Sequence, residues 1–156
     1  MNDDSDRPIT SIEFSRLSKA FFDELERRND NEVWCGSGVA CAKLAKQCIK
    51  WGLGPAEFFA GIPGTLGGAL AMNAGAFGGE TWRHVVSVAV IDRNGVRRER
   101  PVTDYSVGYR HVSGKEHNWG DEWFLGALLR FELRPGVSND DIQYARGISP
   151  AWDRED

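Results

Sequence analysis

The chain has 156 residues, of which 41% are hydrophobic and 27% charged, and its formal net charge is −4. This balance fits one globular domain or a piece of a larger protein. The acidic charge and the lack of a basic run argue against a nucleic-acid partner, and no apolar run reaches the roughly 20 residues that cross a membrane. The acidic N-terminus is unlike a secretory signal, so we expect a cytoplasmic protein.

Three cysteines, Cys35, Cys41 and Cys48, cannot all pair in disulfides within one chain because their number is odd. Their spacings lack the paired pattern of zinc sites, and the histidines are not at ligand spacing. We therefore expect buried free thiols and no metal.

In chain order, residues 9–28 come first, and their apolar and charged positions fit an amphipathic helix, although ITSIEF alone fits a strand equally well. Residues 31–38, NEVWCGSG, predict a short strand that runs into a glycine turn. Residues 39–51 predict a helix with a face of small side chains, which ends at Gly52 or Gly54.

Residues 61–82, GIPGTLGGALAMNAGAFGGETW, are rich in glycine, with seven glycines among the first nineteen positions. Glycine accepts positive φ and lets a ligand approach the backbone N–H groups, so such a stretch can bind a phosphate. The Asn73 side-chain amide would suit the edge of a heterocyclic ring, since it both donates and accepts. The alternative is that the glycines serve only tight turns and close packing.

The second half of the chain reads mainly as strands. Residues 87–102, SVAVIDRNGVRRERPV, predict a hairpin that turns at Asn94 and Gly95. Residues 123–133 predict a long strand, which Arg134-Pro135-Gly136 ends. Residues 104–112 show no clear period, and the last twenty residues are polar. The elements together predict an α+β unit with few helices.

Two phosphate-binding motifs can be tested directly. There is no GxxxxGK[ST] sequence, which excludes a P-loop. Residues 36–41, GSGVAC, nearly match the GxGxxG dinucleotide motif, but Cys41 stands at the third glycine and no following strand ends in a suitably placed acid. A non-catalytic nucleotide-binding module with a degenerate Rossmann-like motif remains an alternative.

Tyr109 and Arg110 lie together in GYRHV. A guanidinium group presents a planar fork of donors that can hold a carboxylate or stabilise an enolate oxygen, although an arginine in this setting is more often a surface ion-pair partner. His111 and Ser113 have no accompanying hydrolase motif. Four acidic residues nearby are expected to be solvated charges: Asp104, Glu116, Asp121 and Glu122.

The string GPAEFFAGIPGTLGGALAMNAGAFGGETW, residues 54–82, closely resembles the bacterial UDP-N-acetylenolpyruvoylglucosamine reductases, and GYRHV resembles the Tyr-Arg element of that family. The resemblance implies an α+β fold. It would be the second subdomain of an FAD-binding domain of the vanillyl-alcohol-oxidase (PCMH) type, with a mixed sheet flanked by helices. It would cover residues 9–142, between polar tails at 1–8 and 143–156, with the substrate-binding domain absent.

The resemblance also implies roles for the matched residues. Arg110 would be catalytic and would steady the charge of the enolpyruvate carboxylate, while Tyr109 would bind substrate. The glycine-rich stretch would lie along the cofactor, with its later residues near the flavin. The implied cofactor-binding residues are Gly36, Ser37, Gly38, Gly61, Ile62, Pro63, Gly64, Thr65, Gly67, Gly68, Asn73, Gly75 and Ala76.

The implied chemistry is the reduction of FAD by NADPH, followed by hydride transfer to the enolpyruvyl double bond of a UDP-sugar. The product would be UDP-N-acetylmuramate, for peptidoglycan in the cell wall. The chain departs from the family in lacking its GGGSN-type loop, its proton-donor serine and its late glutamate. We therefore expect an incomplete fragment that alone holds FAD weakly or not at all and is inactive, with a possible complementing fragment as partner.

Overall fold

The structure is a computed structural model in which residues 22–134 are described. Five antiparallel strands form its central sheet. The strands are β1 (Leu25–Arg27), β2 (Glu32–Gly36), β6 (Val85–Asp92), β7 (Arg97–Pro101) and β10 (Glu122–Arg130). Their order across the sheet is β1-β2-β10-β6-β7. The α+β class is confirmed, and the expected mixed sheet is antiparallel at every pairing between these strands.

The helix predicted over residues 39–51 is present as α1 (Cys41–Lys50). Its buried positions, Leu44, Ala45 and Cys48, recur at helical spacing and pack on one face of the sheet, while its lysines lie on the outer side. On the same face Ala127 of β10 is buried between Cys35 of β2 and Val88 of β6. Small and branched side chains thus fill the layer between sheet and helix.

The hairpin predicted at Asn94 and Gly95 is confirmed, since β6 pairs with β7 around this turn. Asp92 Oδ1 accepts hydrogen bonds from the amides of Asn94 and Val96 at 2.8 and 3.0 Å, and Gly95 takes a φ of 81°. The edge strand β7 reads RRERP, whose charges and proline discourage pairing with another chain.

Two sequence predictions are refined at the ends of the described region. Of residues 9–28, for which a helix and a strand both fitted, only 22–28 are described, where Phe22 is helical and Leu25–Arg27 form β1. The rest of that prediction lies outside the described residues. The long strand predicted for residues 123–133 ends at Arg130, and Glu132–Leu133 form β11, which pairs with β3 (Leu53–Gly54). The break falls at Phe131, whose side chain is buried and whose amide donates to Asn31 O at 2.9 Å.

The glycine-rich stretch contains a helix that was not predicted, α2 (Leu66–Met72). Leu66, Ala69 and Leu70 are buried at the spacing i, i+3, i+4, which directs one side of this short helix into the core. After it come two short strands, β4 (Gly75–Ala76) and β5 (Gly79–Glu80), which pair antiparallel. A second small hairpin consists of β8 (Tyr105–Gly108) and β9 (His111–Gly114).

The prediction of buried free thiols is confirmed, because Cys35, Cys41 and Cys48 are fully buried and unpaired. Burial raises the pKa of Cys41 to about 11 and that of Cys48 to about 12. These thiols are therefore weak nucleophiles that act as small core side chains. Within residues 22–134, no helix has both the length and the apolar character that crossing a bilayer requires.

Glu122 is not the solvated charge that was expected. Its side chain is 8% exposed and forms a bidentate pair with Arg100, with Nε–Oε1 and Nη2–Oε2 distances of 2.9 and 2.7 Å. Arg100 Nη1 also donates to Asp104 Oδ2 at 3.3 Å, just before β8 begins. The pair therefore ties the central strand β10 to the edge strand β7 and to the base of the β8–β9 hairpin.

We expect Glu122→Gln to lower the free energy of unfolding by about 2 kcal/mol, because it weakens charge-assisted hydrogen bonds in a largely buried site. Urea unfolding measures the change. The matched control is Glu26→Gln, since Glu26 pairs with Arg28 in a setting where both side chains are about half exposed, and its cost should stay below about 0.5 kcal/mol. Equal costs for the two variants would contradict this role of Glu122.

Candidate functional site

A pocket of about 210 Å³ lies where the end of α2, the β4–β5 hairpin and the tip of the β8–β9 hairpin meet. It is lined by Asn73, residues 75–80, Arg83, Tyr109 and Arg110. Two groups of predicted site residues that are far apart in sequence therefore share one pocket. Larger grooves of about 460 and 500 Å³ lie elsewhere on the surface, and neither contains a glycine of the stretch 61–79.

Residues with unusual backbone conformations cluster at this pocket. Among residues 22–134, three residues other than glycine have positive φ: Asn73 at 47°, Phe77 at 51° and Arg110 at 48°. All three line this pocket. Residues with a Cβ adopt this conformation at a cost, and such strain concentrates at functional sites. The backbone thus marks the pocket as a site independently of any sequence motif.

The β4–β5 hairpin turns through Phe77 and Gly78, both with positive φ, as in the type I′ turns that suit two-residue hairpins. A Cβ at Gly75 would collide with Gly79 O, so glycine is needed there for close approach of the two strands. Arg83 Nη1 donates to Gly78 O at 2.8 Å and holds the turn from outside. Phe77 and Arg83 were not among the predicted site residues, and no local sequence signal identifies them.

The tip of the β8–β9 hairpin consists of Tyr109 and Arg110, between the paired residues Gly108 and His111. The Tyr109 side chain is 82% exposed, and the Arg110 guanidinium lies 5.6 Å from the centre of its ring. No carboxylate among residues 22–134 lies within 4.0 Å of the Arg110 guanidinium nitrogens. The surface ion-pair interpretation of Arg110 therefore finds no support in the described part of the chain.

The amide of Asn73, which was expected at the edge of a ring, is hydrogen-bonded within the protein. Its side chain is 2% exposed, and Nδ2 donates to Gly108 O at 2.9 Å and approaches Glu80 Oε2 at 3.4 Å. Its Oδ1 accepts from the amide of Trp82 at 3.0 Å. Both amide hydrogens are thus used within the protein, and Asn73 joins three segments that surround the pocket.

The earlier part of the glycine-rich stretch forms an exposed strip beside α2, made of Pro63, Gly64, Thr65 and Gly68. A Cβ built at Gly64 or Gly68 would meet no atom within 4 Å, so both positions face open space. The amides of Gly64, Thr65 and Gly68 have no backbone acceptor among the described residues. The strip can therefore offer bare peptide groups to a ligand.

The other predicted cofactor-binding residues are placed differently. The amides of Gly36 and Ser37 donate to Glu24 O and Leu125 O at 2.7 and 2.9 Å, so they are not free for a phosphate. Ile62 is buried in the core. Gly67 packs against Ser37, to whose carbonyl its amide donates at 2.8 Å. Three further residues lie at the surface or are half-buried: Gly38 and Gly61 near the strip, and Ala76 in the pocket.

The family described as FAD binding domain matches residues 3–99, more than half of the chain. The chain belongs to this family. The match confirms the predicted fold of the described region, and it does not favour the Rossmann-like alternative.

Individual proteins extend this result. The chain is 57% identical over 110 residues to the UDP-N-acetylenolpyruvoylglucosamine reductase of Alkalilimnicola ehrlichii, covering 70% of this chain and 35% of that protein. It is 42% identical over 132 residues to the reductase of the same name from Legionella pneumophila strain Paris, covering 85% of this chain and 42% of that protein. The predicted resemblance to these reductases is confirmed.

Among solved structures, the crystal structure of UDP-N-acetylenolpyruvylglucosamine reductase (MurB) from Thermus caldophilus is similar, with a TM-score of 0.59 and 26% identity. The alignment covers 73% of this chain and 40% of that one. The chain thus spans between about a third and two fifths of the length of the reductases that it matches.

We expect Arg110→Gly to be more stable than Arg110→Ala by about 1 kcal/mol. The left-handed conformation costs a residue with a Cβ roughly 1–2 kcal/mol, and the chain entropy of glycine offsets part of the gain. Urea unfolding of both variants isolates the backbone effect, since both lose the guanidinium. At His111, the next residue and the first of strand β9, the alanine variant should be more stable than the glycine variant. Equal stabilities for the two Arg110 variants would show that the positive φ costs nothing.

Proposed function

We propose that this chain is the FAD-binding part of a flavin-dependent reductase of the UDP-N-acetylenolpyruvoylglucosamine type. With NADPH as reductant, such an enzyme would reduce the enolpyruvyl group of its UDP-sugar substrate to give UDP-N-acetylmuramate for peptidoglycan, in the cytoplasm. The family match and the similar reductases support this proposal. The observation that carries it is the shared pocket of the glycine-rich stretch and the Tyr109–Arg110 turn.

The residues present suit a long, doubly charged cofactor such as FAD. The strip from Pro63 to Gly68 is exposed, and the open space at Gly64 and Gly68 would let phosphate oxygens reach peptide amides. Thr65 adds a hydroxyl donor. When bound, FAD supplies the hydride-transfer chemistry, and the protein supplies placement and charge stabilisation.

The pocket suits the reacting end of the substrate. Its volume of about 210 Å³ gives room for a small carboxylate group beside Arg110. Arg110 has no carboxylate partner in the described chain, so its planar fork can accept a substrate carboxylate in bidentate fashion. Tyr109, at the rim of the pocket, would contact the same substrate and orient the guanidinium.

The described lining of the pocket has two groups that can carry a proton, the Tyr109 hydroxyl and the Glu80 carboxyl. Glu80 is the carboxylic acid at its wall, and its Oε2 already lies 3.4 Å from Asn73 Nδ2 and 3.7 Å from Arg83 Nε. We therefore assign Glu80 a structural role. On the open space at Gly64 and Gly68 we propose that this chain by itself binds FAD, contrary to the expectation from its sequence, and that it does not turn over substrate. Because the chain spans about a third of the length of its relatives, we assign the complete reaction to a whole reductase and not to this chain. A complementing fragment remains a prediction.

A size series at Gly68 tests whether FAD lies on the exposed strip. We expect Gly68→Leu to weaken FAD binding by at least about tenfold and Gly68→Ala to weaken it less, because the added side chain would occupy the space of the cofactor. The fold should be kept or slightly stabilised, since glycine costs about 1 kcal/mol in a helix relative to alanine. Flavin fluorescence titration and urea unfolding measure the two effects.

Gly64 is less suitable for this test, because its φ of 94° would strain any larger residue. The matched control is Gly120→Ala, an exposed glycine outside the strip where a Cβ would meet only Asn118 at 3.7 Å. This variant should bind FAD as the unchanged chain does. If the unchanged chain bound no FAD, or if Gly68→Leu bound it equally well, the proposed cofactor site would be wrong.

A further inference from the structure

We propose that Asn73 is a positioning residue, which holds the turn bearing Arg110 against the β4–β5 hairpin by its hydrogen bond to Gly108 O. Through this bond the protein would set the distance between the proposed flavin end of the site and the guanidinium that binds the substrate carboxylate. The inference rests on the proposed function, because it assigns Asn73 a task in that same site.

The first argument is the isolation of the hairpin tip. The β8–β9 pair forms a two-stranded sheet of its own, separate from the five-stranded sheet. Its base is fixed by the burial of Tyr105 and by the bond from Lys115 N to Asp104 O, and Val112, one pair before the tip, is also buried. Among the hydrogen bonds described for residues 22–134, the one from Asn73 Nδ2 to Gly108 O is the single bond that joins residues 106–111 to a segment outside the β8–β9 hairpin.

The second argument is that the Asn73 side chain is itself held in place. Its Oδ1 accepts from Trp82 N at 3.0 Å, and Trp82 Nε1 donates to Leu70 O at 2.7 Å, so the end of α2 is anchored from two sides. Glu80 Oε2 lies 3.4 Å from Nδ2 and takes its second hydrogen. The amide therefore has one orientation, with its remaining hydrogen directed at Gly108 O.

The third argument is the conformation of Asn73. Its φ of 47° places it in the left-handed region at the end of α2, where asparagine is one of the few tolerated residues and glycine is the most common. Glycine would satisfy the helix end but could not make any of the three side-chain hydrogen bonds. The choice of asparagine is thus explained by what its amide does.

Amide hydrogen exchange can test the inference with a pair of substitutions. Asn73→Asp keeps a residue that tolerates the left-handed conformation and an oxygen that accepts from Trp82 N, but it removes both donors. In the double variant, Glu80→Gln is added to Asn73→Asp. The amide at position 80 can then donate to the carboxylate at position 73, so two carboxylates no longer repel each other. In the double variant the donor to Gly108 O is lost and an acceptor oxygen faces that carbonyl instead, so the attractive contact becomes a repulsive one.

We expect exchange of the β8 and β9 amides to accelerate about tenfold in Asn73→Asp and in the double variant. The amides of β2 and β10 should stay within about twofold of the unchanged chain, and Glu80→Gln alone should leave the hairpin within the same limit. A uniform acceleration across the whole sheet would show that Asn73 serves general stability, and no acceleration in the hairpin would show that the bond holds nothing. Either result would overturn the inference.

A parallel FAD titration separates this inference from the proposed function. Failure of the unchanged chain to bind FAD would refute the proposed function, and the exchange comparison would still report whether Asn73 holds the hairpin. If FAD bound while hairpin exchange were unaffected by Asn73→Asp, the inference alone would fail.

Discussion

The hydrogen bond from the Asn73 side chain to Gly108 O is the contact on which the candidate site depends. It spans 35 positions of sequence and connects the glycine-rich half of the pocket with the hairpin that carries Arg110. Other hydrogen bonds fix each of these parts within itself. This one fixes them relative to each other; it is 2.9 Å long and partly buried, and the donor amide is oriented by Glu80 and Trp82.

Around that contact, the protein uses its glycines in two different ways. Gly75 and Gly67 allow close approach of backbone to backbone or to Ser37, so they build the structure. Gly64 and Gly68 face open space, so no neighbouring atom explains the missing side chain. The packing interpretation therefore holds at Gly67 and Gly75, while ligand approach stays a proposal for Gly64, whose φ is 94°, and for Gly68. The residues that face open space are the ones to assign to a cofactor.

At Arg110, too, the residue type is unfavourable for folding and is accounted for by its proposed function. A turn at this position would favour glycine or asparagine, yet the chain places an arginine there in the left-handed conformation and gives it no carboxylate partner among residues 22–134. The cost in stability is explained if the guanidinium is required at the mouth of the pocket. The largely buried pair of Arg100 and Glu122 is the contrasting case, because its charges are satisfied within the fold and tie the hairpin base to the sheet.

The sequence predicted elements whose causes are local. Strand β2, helix α1 and the hairpin at Asn94 follow from apolar period and turn residues that are close together in the chain. Helix α2 was missed because glycines lower helix propensity, although Leu66, Ala69 and Leu70 carried the right spacing. The task of Asn73 could not be read from sequence, because its partner Gly108 is brought near by the fold alone.

The structure brings Asn73, Gly75 and Ala76, which the resemblance assigned to the cofactor, into one pocket with Tyr109 and Arg110. The resemblance could not separate residues that face the pocket from those that support it. Gly36 and Ser37 illustrate the difference, since their amides are used within the fold. That separation depends on the path of the backbone hydrogen bonds, which only the three-dimensional structure reveals.

The central claim is that FAD lies along the exposed strip and ends at the pocket beside Arg110. The most direct measurement is a nitrogen-15 NMR titration of the chain with FAD, which reports the chemical shift of each backbone amide. The account predicts that the largest shifts fall in residues 64–68, 75–80 and 108–111. Shifts centred on the β6–β7 hairpin, or no shifts at saturating FAD, would contradict it.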